Sequence, residues 1–154
     1  MKIEDAIRQK TFRNEYHKAH INLFYTYGWL QLKIVHELKP FHLSPQQFNI
    51  LRILRGMHPG PASIRELTDR MLDKSSNASR LVDKLLPKGL VTKLPSKKDS
   101  RRMDVFISPK GMEVLDEASQ KVEACINDIF SVLTTSEASL FNDFLDRIRS
   151  GGEE

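Results

Sequence analysis

SIRELTDRMLDKSSNASRLVDKLLPKGLVTKLPSKKDSRRMDVFI, residues 63–107, is the stretch on which the reading of this chain turns. It opens with Ser63-Ile64-Arg65-Glu66, a capping box in which the Ser and Glu side chains satisfy backbone N–H groups that the first turn of a helix leaves free. Ile64, Leu67 and Met71 supply one apolar face, and Asp73-Lys74-Ser75-Ser76 makes a polar break. Ala78, Leu81, Val82 and Leu85 then fall at i, i+3, i+4 and i+7, which predicts a second helix with one buried stripe. At about 100° per residue the opposite face carries Ser76, Asn77, Arg80 and Lys84, with Ser79 and Asp83 at its margins. Pro87 should end this helix early, and Gly89 suits its C-terminal cap.

A hairpin follows. Val91–Leu94 forms one arm and Met103–Ile107 the other, with Met103, Val105 and Ile107 alternating onto one side. Its tip, residues 95–102, is dense in positive charge. Lys74 to Arg102 holds nine basic residues (74, 80, 84, 88, 93, 97, 98, 101, 102) and two acidic ones (83, 99), a balance of +7. The whole chain carries only +4, so the rest sums to −3. Positive charge gathered on one module is the footprint of a phosphate-backbone binder. Short hydrogen-bonding groups and an Arg on a helix face suit base edges in a major groove.

Helix, turn, helix and hairpin, with Asp99-Ser100-Arg101 in the hairpin and Ile107-Ser108-Pro109-Lys110-Gly111 after it, resemble the MarR (multiple antibiotic resistance regulator) family of winged-helix transcription regulators. Asp73-Lys74-Ser75-Ser76 leading into Ser79-Arg80-Leu81-Val82-Asp83-Lys84-Leu85 is similar to that family's recognition helix. The likeness spans roughly residues 10 to 149. It implies a mainly α fold with a small β-hairpin, a recognition helix carrying Lys74, Ser75, Ser76, Asn77, Ser79, Arg80 and Lys84, and a wing carrying Lys97, Lys98, Asp99, Arg101 and Arg102. In such a wing the Asp orients an Arg that enters the minor groove. The family also implies a homodimer on an inverted-repeat operator in double-stranded DNA, acting as a repressor released by a small aromatic or lipophilic effector.

The flanks agree with this. Residues from about 3 to 38 read as a long helical segment, bent near Thr11, whose Tyr16, His20, Leu23, Tyr27, Leu30 and Ile34 recur at spacings of four and three. Lys39-Pro40 stops it. Ser44-Pro45-Gln46-Gln47 starts another helix with a capping box, Leu43 is placed to staple onto Phe48, and Leu51 and Leu54 continue the buried face. Ser108-Pro109 opens a helix to about Leu133, with Leu115, Val122 and Ile129 in one heptad row and Ala118, Cys125 and Val132 in another. Thr134 to Glu137 is a further capping box, and Leu140, Phe141, Phe144, Leu145 and Ile148 form a last stripe before a tail, Gly-Gly-Glu-Glu, expected to fray. The expected organisation is a single domain, 1–154, with a DNA-binding lobe at 44–107 and dimerisation helices at 3–38 and 108–149.

Composition narrows the function classes. No run of about 18 apolar residues exists, so no membrane span or membrane partner is expected. The charged start, MKIEDAIRQK, lacks the apolar segment of a secretory signal, and a single cysteine favours a reducing compartment, so a cytoplasmic location is expected. No Gly-rich phosphate loop, nucleophile elbow or metal-ligand spacing is present, which argues against an enzyme and against any cofactor or metal. His17 and His20 share a helix face, yet the other histidines (36, 42, 58) add no ligand spacing. Cys125 could make a redox-responsive regulator, but it lies on the heptad row with no basic residue within three positions, and reads as core. Phe24, Tyr27 and Trp29 are candidates for an effector pocket, with helix packing as the plainer reading. A nonspecific architectural DNA binder and a protein–protein winged-helix module are the remaining alternatives. Asn77 and Arg80 argue against the first, the concentrated charge against the second.

Overall fold

The structure, a computed structural model, describes residues 1–151. The last three residues of the tail, for which fraying is expected, lie outside the described residues. In chain order the elements are α1 (Ile3–Ala6), α2 (Glu15–Leu38), a 3-10 turn (Lys39–Phe41), α3 (Pro45–Met57), β1 (Ala62–Ser63), α4 (Ile64–Arg70), α5 (Ala78–Leu85), β2 (Val91–Pro95), β3 (Met103–Ile107), α6 (Pro109–Phe130) and α7 (Thr135–Ser150). The fold is mainly helical with a small antiparallel sheet, as the sequence predicts.

One expectation needs correcting at the N-terminus. Residues 3–38 are not one bent helix but two, separated by eight residues. Arg8 adopts a left-handed backbone (φ 55°), which no helix continues through. Asn14 then restarts the chain as a cap, its side chain accepting from the His17 N–H. The helix expected to reach Leu133 likewise stops at Phe130, where Ser131 closes the last turn and its hydroxyl donates to the Asp128 carbonyl.

The core lies where α3, α4, α5, the sheet and the first half of α6 meet. Leu38, Ile50, Leu51, Leu54, Leu67, Val82, Leu85, Val105 and Leu115 are all but sealed from solvent. Leu43 and Phe48, the expected staple pair, are both in that cluster. The three expected capping boxes, at Ser44/Gln47, Ser63/Glu66 and Thr134/Glu137, are present in both directions. β2 and β3 pair with Val91 opposite Ile107 and Lys93 opposite Val105. A strand that the sequence did not suggest, β1, adds Ala62 and Ser63 to the other edge of β3. At two residues it is too short to show an alternating pattern.

The junction between the hairpin and α6 is tightly built. α5 is followed by a Schellman turn: Gly89, at φ 70°, donates to the Leu86 carbonyl and Leu90 to the Leu85 carbonyl. The regular helix thus ends at Leu85, two residues before Pro87, as expected. Ser108 fastens this turn to α6, donating its hydroxyl to the Gly89 carbonyl and accepting from the Gly111 N–H. A Cβ at Gly111 would sit 2.1 Å from the Leu90 carbonyl oxygen, so only glycine allows this approach.

Large apolar side chains remain uncovered on the flanking helices. Phe24 is 67 % exposed, Leu32 72 % and Ile148 66 %, and α7 has no buried residue at all. Among the described residues no helix is long and apolar enough to cross a membrane.

Candidate nucleic-acid interface

The helix–turn–helix is assembled by side-chain caps. Ser63 Oγ accepts from Glu66 N at 3.2 Å while Glu66 Oε2 accepts from Ser63 N at 2.8 Å. That backbone bond is the main reason the Glu66 carboxyl stays below the usual carboxylate range. In the turn, Asp73 Oδ1 accepts the Ser75 hydroxyl at 2.6 Å and the Ser75 N–H at 2.9 Å. These bonds, the hydroxyl first, hold the Asp73 carboxyl below its ordinary value. Lys74 Nζ donates back to the Asp69 carbonyl.

The reading surface is narrower than the sequence suggests. α5 begins at Ala78, with Asn77 as its cap: Asn77 Oδ1 accepts the Arg80 N–H at 3.0 Å. The oxygen of that amide is therefore committed to the backbone. Ser76 lies in the turn and lines the same groove as its neighbours, with its hydroxyl buried and without a partner among the described residues. Lys74, Ser75, Asn77, Ser79, Arg80 and Lys84 are exposed. Ser75, Asn77, Arg80 and Lys84 line an open groove of about 370 Å³ together with Gln46 and Asp73. The buried stripe behind them is as expected, with Ala78, Val82 and Leu85 sealed and Leu81 half-buried.

At the wing tip, Ser96 N donates to the Arg102 carbonyl at 2.8 Å and Arg102 N to the Asp99 carbonyl at 2.9 Å, closing a tight turn. Asp99 Oδ1 accepts from both the backbone N–H and Nε of Arg101, each at 3.1 Å. The Arg101 guanidinium is the principal cause of the low Asp99 pKa. Arg102 Nε lies 3.9 Å from the other carboxylate oxygen. Arg101 remains 89 % exposed, so Asp99 aims it without covering it. Lys97 and Lys98 are exposed and make no side-chain hydrogen bond or ion pair among the described residues.

Not every charge in the basic stretch is free. Lys93 Nζ meets Asp83 Oδ1 at 3.2 Å, tying the wing to α5. Lys88 Nζ donates to the His42 carbonyl and to Gln47 Oε1, stitching the end of α5 to the start of α3. The sequence-level balance of +7 therefore overstates the charge offered outward.

A second hollow, of about 250 Å³, lies between α2, α3, α6 and the turn before α5. Its walls include Ile34, Phe48, Met71, Val122 and Ile126, with Gln31, Asn49 and Arg52 as polar groups. Of the three pocket candidates only Tyr27 reaches it, its hydroxyl accepting from Gln31 Nε2 at 3.1 Å. Phe24 and Trp29 do not line this hollow; both are exposed on α2, and Lys33 Nζ lies 5.7 Å from the Trp29 ring centre. The pocket residues that sequence reasoning missed, Gln46, Asn49 and Arg52, are the polar side of α3. Their trace in the sequence is a polar residue at every third position along one side of the helix. Among the described residues no three His, Cys, Asp or Glu side chains gather as a metal site would need.

Residues 43–103 match the model of the MarR family. The HTH-type transcriptional regulator MhqR of Bacillus subtilis is 29 % identical over 106 residues, which span 69 % of this chain and 72 % of that protein. Among solved structures, the organohalide-sensing regulator RdhR in its 2,4-dichlorophenol-bound form superposes with a TM-score of 0.82 at 18 % identity, over 94 % of this chain and 87 % of that one. A MarR mutant from E. coli complexed with operator DNA gives 0.77 at 20 % identity, over 90 % and 99 %. The matched residues are those of the helix–turn–helix and wing, and over them the chain is similar to the MarR family of winged-helix transcription regulators.

Proposed function

We propose that this regulator reads a specific double-stranded DNA sequence as a homodimer on an inverted-repeat operator, and that it is a repressor released by a small aromatic or lipophilic ligand. The observation that carries the reading is the open groove along α5. Ser75 from the turn, Asn77 from the cap, and Arg80 and Lys84 from the helix face it, and the Asp83–Lys93 pair holds the basic wing alongside. Arg80 suits a base edge, Lys97 and Lys98 suit phosphates, and Arg101, aimed by Asp99, suits a narrow minor groove. A fold neighbour solved on operator DNA supports the same assignment.

Three further points support the finer reading. The lobe at 44–107 carries the basic elements, while the helices within 3–38 and 108–149 leave Phe24, Leu32, Leu140, Phe144 and Ile148 uncovered, an apolar area suited to a second copy. Two heads related by a two-fold axis read half-sites about 10 base pairs, or a multiple of that, apart. The cavity beside the turn before α5, apolar with a few polar groups, suits a small lipophilic guest, and the neighbour bound to 2,4-dichlorophenol gives a probe. Such a protein acts in the cytoplasm, and the reading gives it no catalytic role.

The test is to incubate the purified protein with a pool of genomic fragments and sequence what it retains. Recovery of a shared inverted repeat, bound at least a hundredfold better than its scrambled form, is the expected result. Retention of fragments with no common motif would return the chain to the architectural class.

A further inference from the structure

Gln46 and Asn49 stand one turn apart on α3, and both reach the segment that leads into α5. Asn49 Oδ1 accepts the Leu72 N–H at 2.9 Å, and Gln46 Nε2 donates to Asp73 Oδ2 at 3.5 Å. The other Asp73 oxygen holds Ser75 by both its hydroxyl and its N–H. A line of hydrogen bonds thus runs from α3, through the turn, to two residues before the α5 cap. The Leu72 side chain does not anchor this turn, for it is 82 % exposed. Beside the buried Met71, the Asn49 amide holds the backbone there and the Gln46 amide holds the Asp73 carboxylate.

The same groups border both hollows. Gln46, Asn49, Leu72 and Asp73 all line the cavity, and Gln46 and Asp73 line the reading groove as well. Among the described residues these two are the only ones common to both linings. A guest's polar head in the cavity competes for the amides that position the turn. A net hydrogen bond is worth roughly a factor of two to ten in an equilibrium. Losing one is enough to change how often α5 is held in its reading pose, without unfolding it.

Building on the DNA-reading proposal, we propose that Asn49 and Gln46 are positioning residues for sequence recognition, and that an occupant of the cavity acts on DNA binding by taking their amides from the Leu72–Asp73 turn. The coupling is reciprocal: operator DNA, by holding α5 in place, strengthens the same bonds and disfavours the guest.

The readout is the ratio of affinity for the recovered operator to that for its scrambled form. Loss of fold lowers both affinities, whereas loss of positioning lowers the ratio alone. Asn49→Ala should lower the ratio about five- to tenfold while binding to scrambled DNA stays within twofold. Asn49→Asp keeps the oxygen that accepts the Leu72 N–H and should restore the ratio to within about twofold of the native value. Gln46→Ala removes the longer bond and should lower the ratio about two- to threefold, and it carries the test should Asn49→Ala fail to fold. Ile126→Trp grows a side chain from α6 into the cavity as a built-in guest. In the native background it should lower the ratio about fivefold, and in an Asn49→Ala or Gln46→Ala background by less than twofold. Equal effects of Ile126→Trp in both backgrounds, or a ratio unmoved by Asn49→Ala, would overturn the inference while leaving DNA reading intact. A native ratio near one would remove the DNA-reading proposal and this inference with it.

Discussion

Lys88 and Lys97 contribute equally to the formal charge of the basic stretch, yet their surroundings suit opposite jobs in the proposed DNA complex, and salt dependence would separate them. Lys97 is exposed at the wing tip. Lys88 spends its ammonium donors on the His42 carbonyl and on Gln47 Oε1. Each phosphate contact contributes about 0.9 to the slope of log K against log salt, so Lys97→Ala, counted twice in the proposed dimer, should flatten the slope by about 1.8. Between 50 and 200 mM salt, a fourfold change, that corresponds to about a 12-fold smaller loss of affinity than the native protein shows. Lys88→Ala should leave the slope unchanged. It strands the His42 carbonyl instead and leaves the buried Gln47 Oε1 with the Ser44 N–H as its one donor, and should lower folding stability by about 1 kcal/mol. Fluorescence anisotropy over a salt series, with urea denaturation of the same variants, measures both quantities. An equal flattening by Lys88→Ala would refute the division of labour drawn from the geometry.

Removing Arg80 should cost about 1–3 kcal/mol per half-site and relax preference at one base position, seen as a selective loss on the specific duplex against a scrambled one. Sedimentation equilibrium should find a stable dimer that Phe144→Asp dissociates, since that ring is 46 % exposed on a helix with nothing buried; a native monomer at micromolar concentration would defeat the assembly reading. Gly111→Ala drives a methyl against the Leu90 carbonyl, and thermal melting should show destabilisation of about 1–3 kcal/mol or more; an unchanged midpoint would contradict the close packing. Glu66, Asp73, Asp99 and Glu137 have folded pKa values below their ordinary ones, so their support is full above the ordinary values of 4.5 and 3.8 and is lost as pH falls through the depressed ones. The loss of melting temperature that these four carboxylates cause should therefore set in only as pH falls to about 4.5 and below, and a loss tracking them already at pH 6 would contradict the depressed pKa values.

Where a sequence signal acts over three or four residues, it was legible. The capping boxes at Ser44, Ser63 and Thr134, the buried stripe of α5, the hairpin arms and the left-handed Gly89 all follow from local spacing and backbone chemistry. Signals that compete with a stronger neighbour were not. The seam from Tyr16 to Ile34 made residues 3–38 look continuous, although Asn14 is an ordinary cap and Arg8 breaks the chain. At the site, residue type gave the exposed groups correctly but not their commitments. Asn77 gives its oxygen to the Arg80 N–H, Ser76 buries its hydroxyl, and Lys88 and Lys93 are bonded within the protein. Those partners lie as far as 46 residues away in sequence, and only the fold brings them together.

Ser108, Gly111 and the Gly89–Leu90 turn weld the end of α5 to the start of α6, so reading head and helix move as one piece, like a blade on its handle. The handle is 22 residues long, about 33 Å at 1.5 Å per residue, so swinging it by roughly 10° about its far end carries the head about 6 Å. That is close to two base-pair steps of about 3.4 Å each. In the proposed dimer, the spacing between heads is then governed where α6 meets α7, far from any residue that touches DNA. Spin labels at the exposed Arg65 of both protomers should drift apart or together between free and operator-bound states, while labels bridging α5 and the first turn of α6 keep a fixed distance.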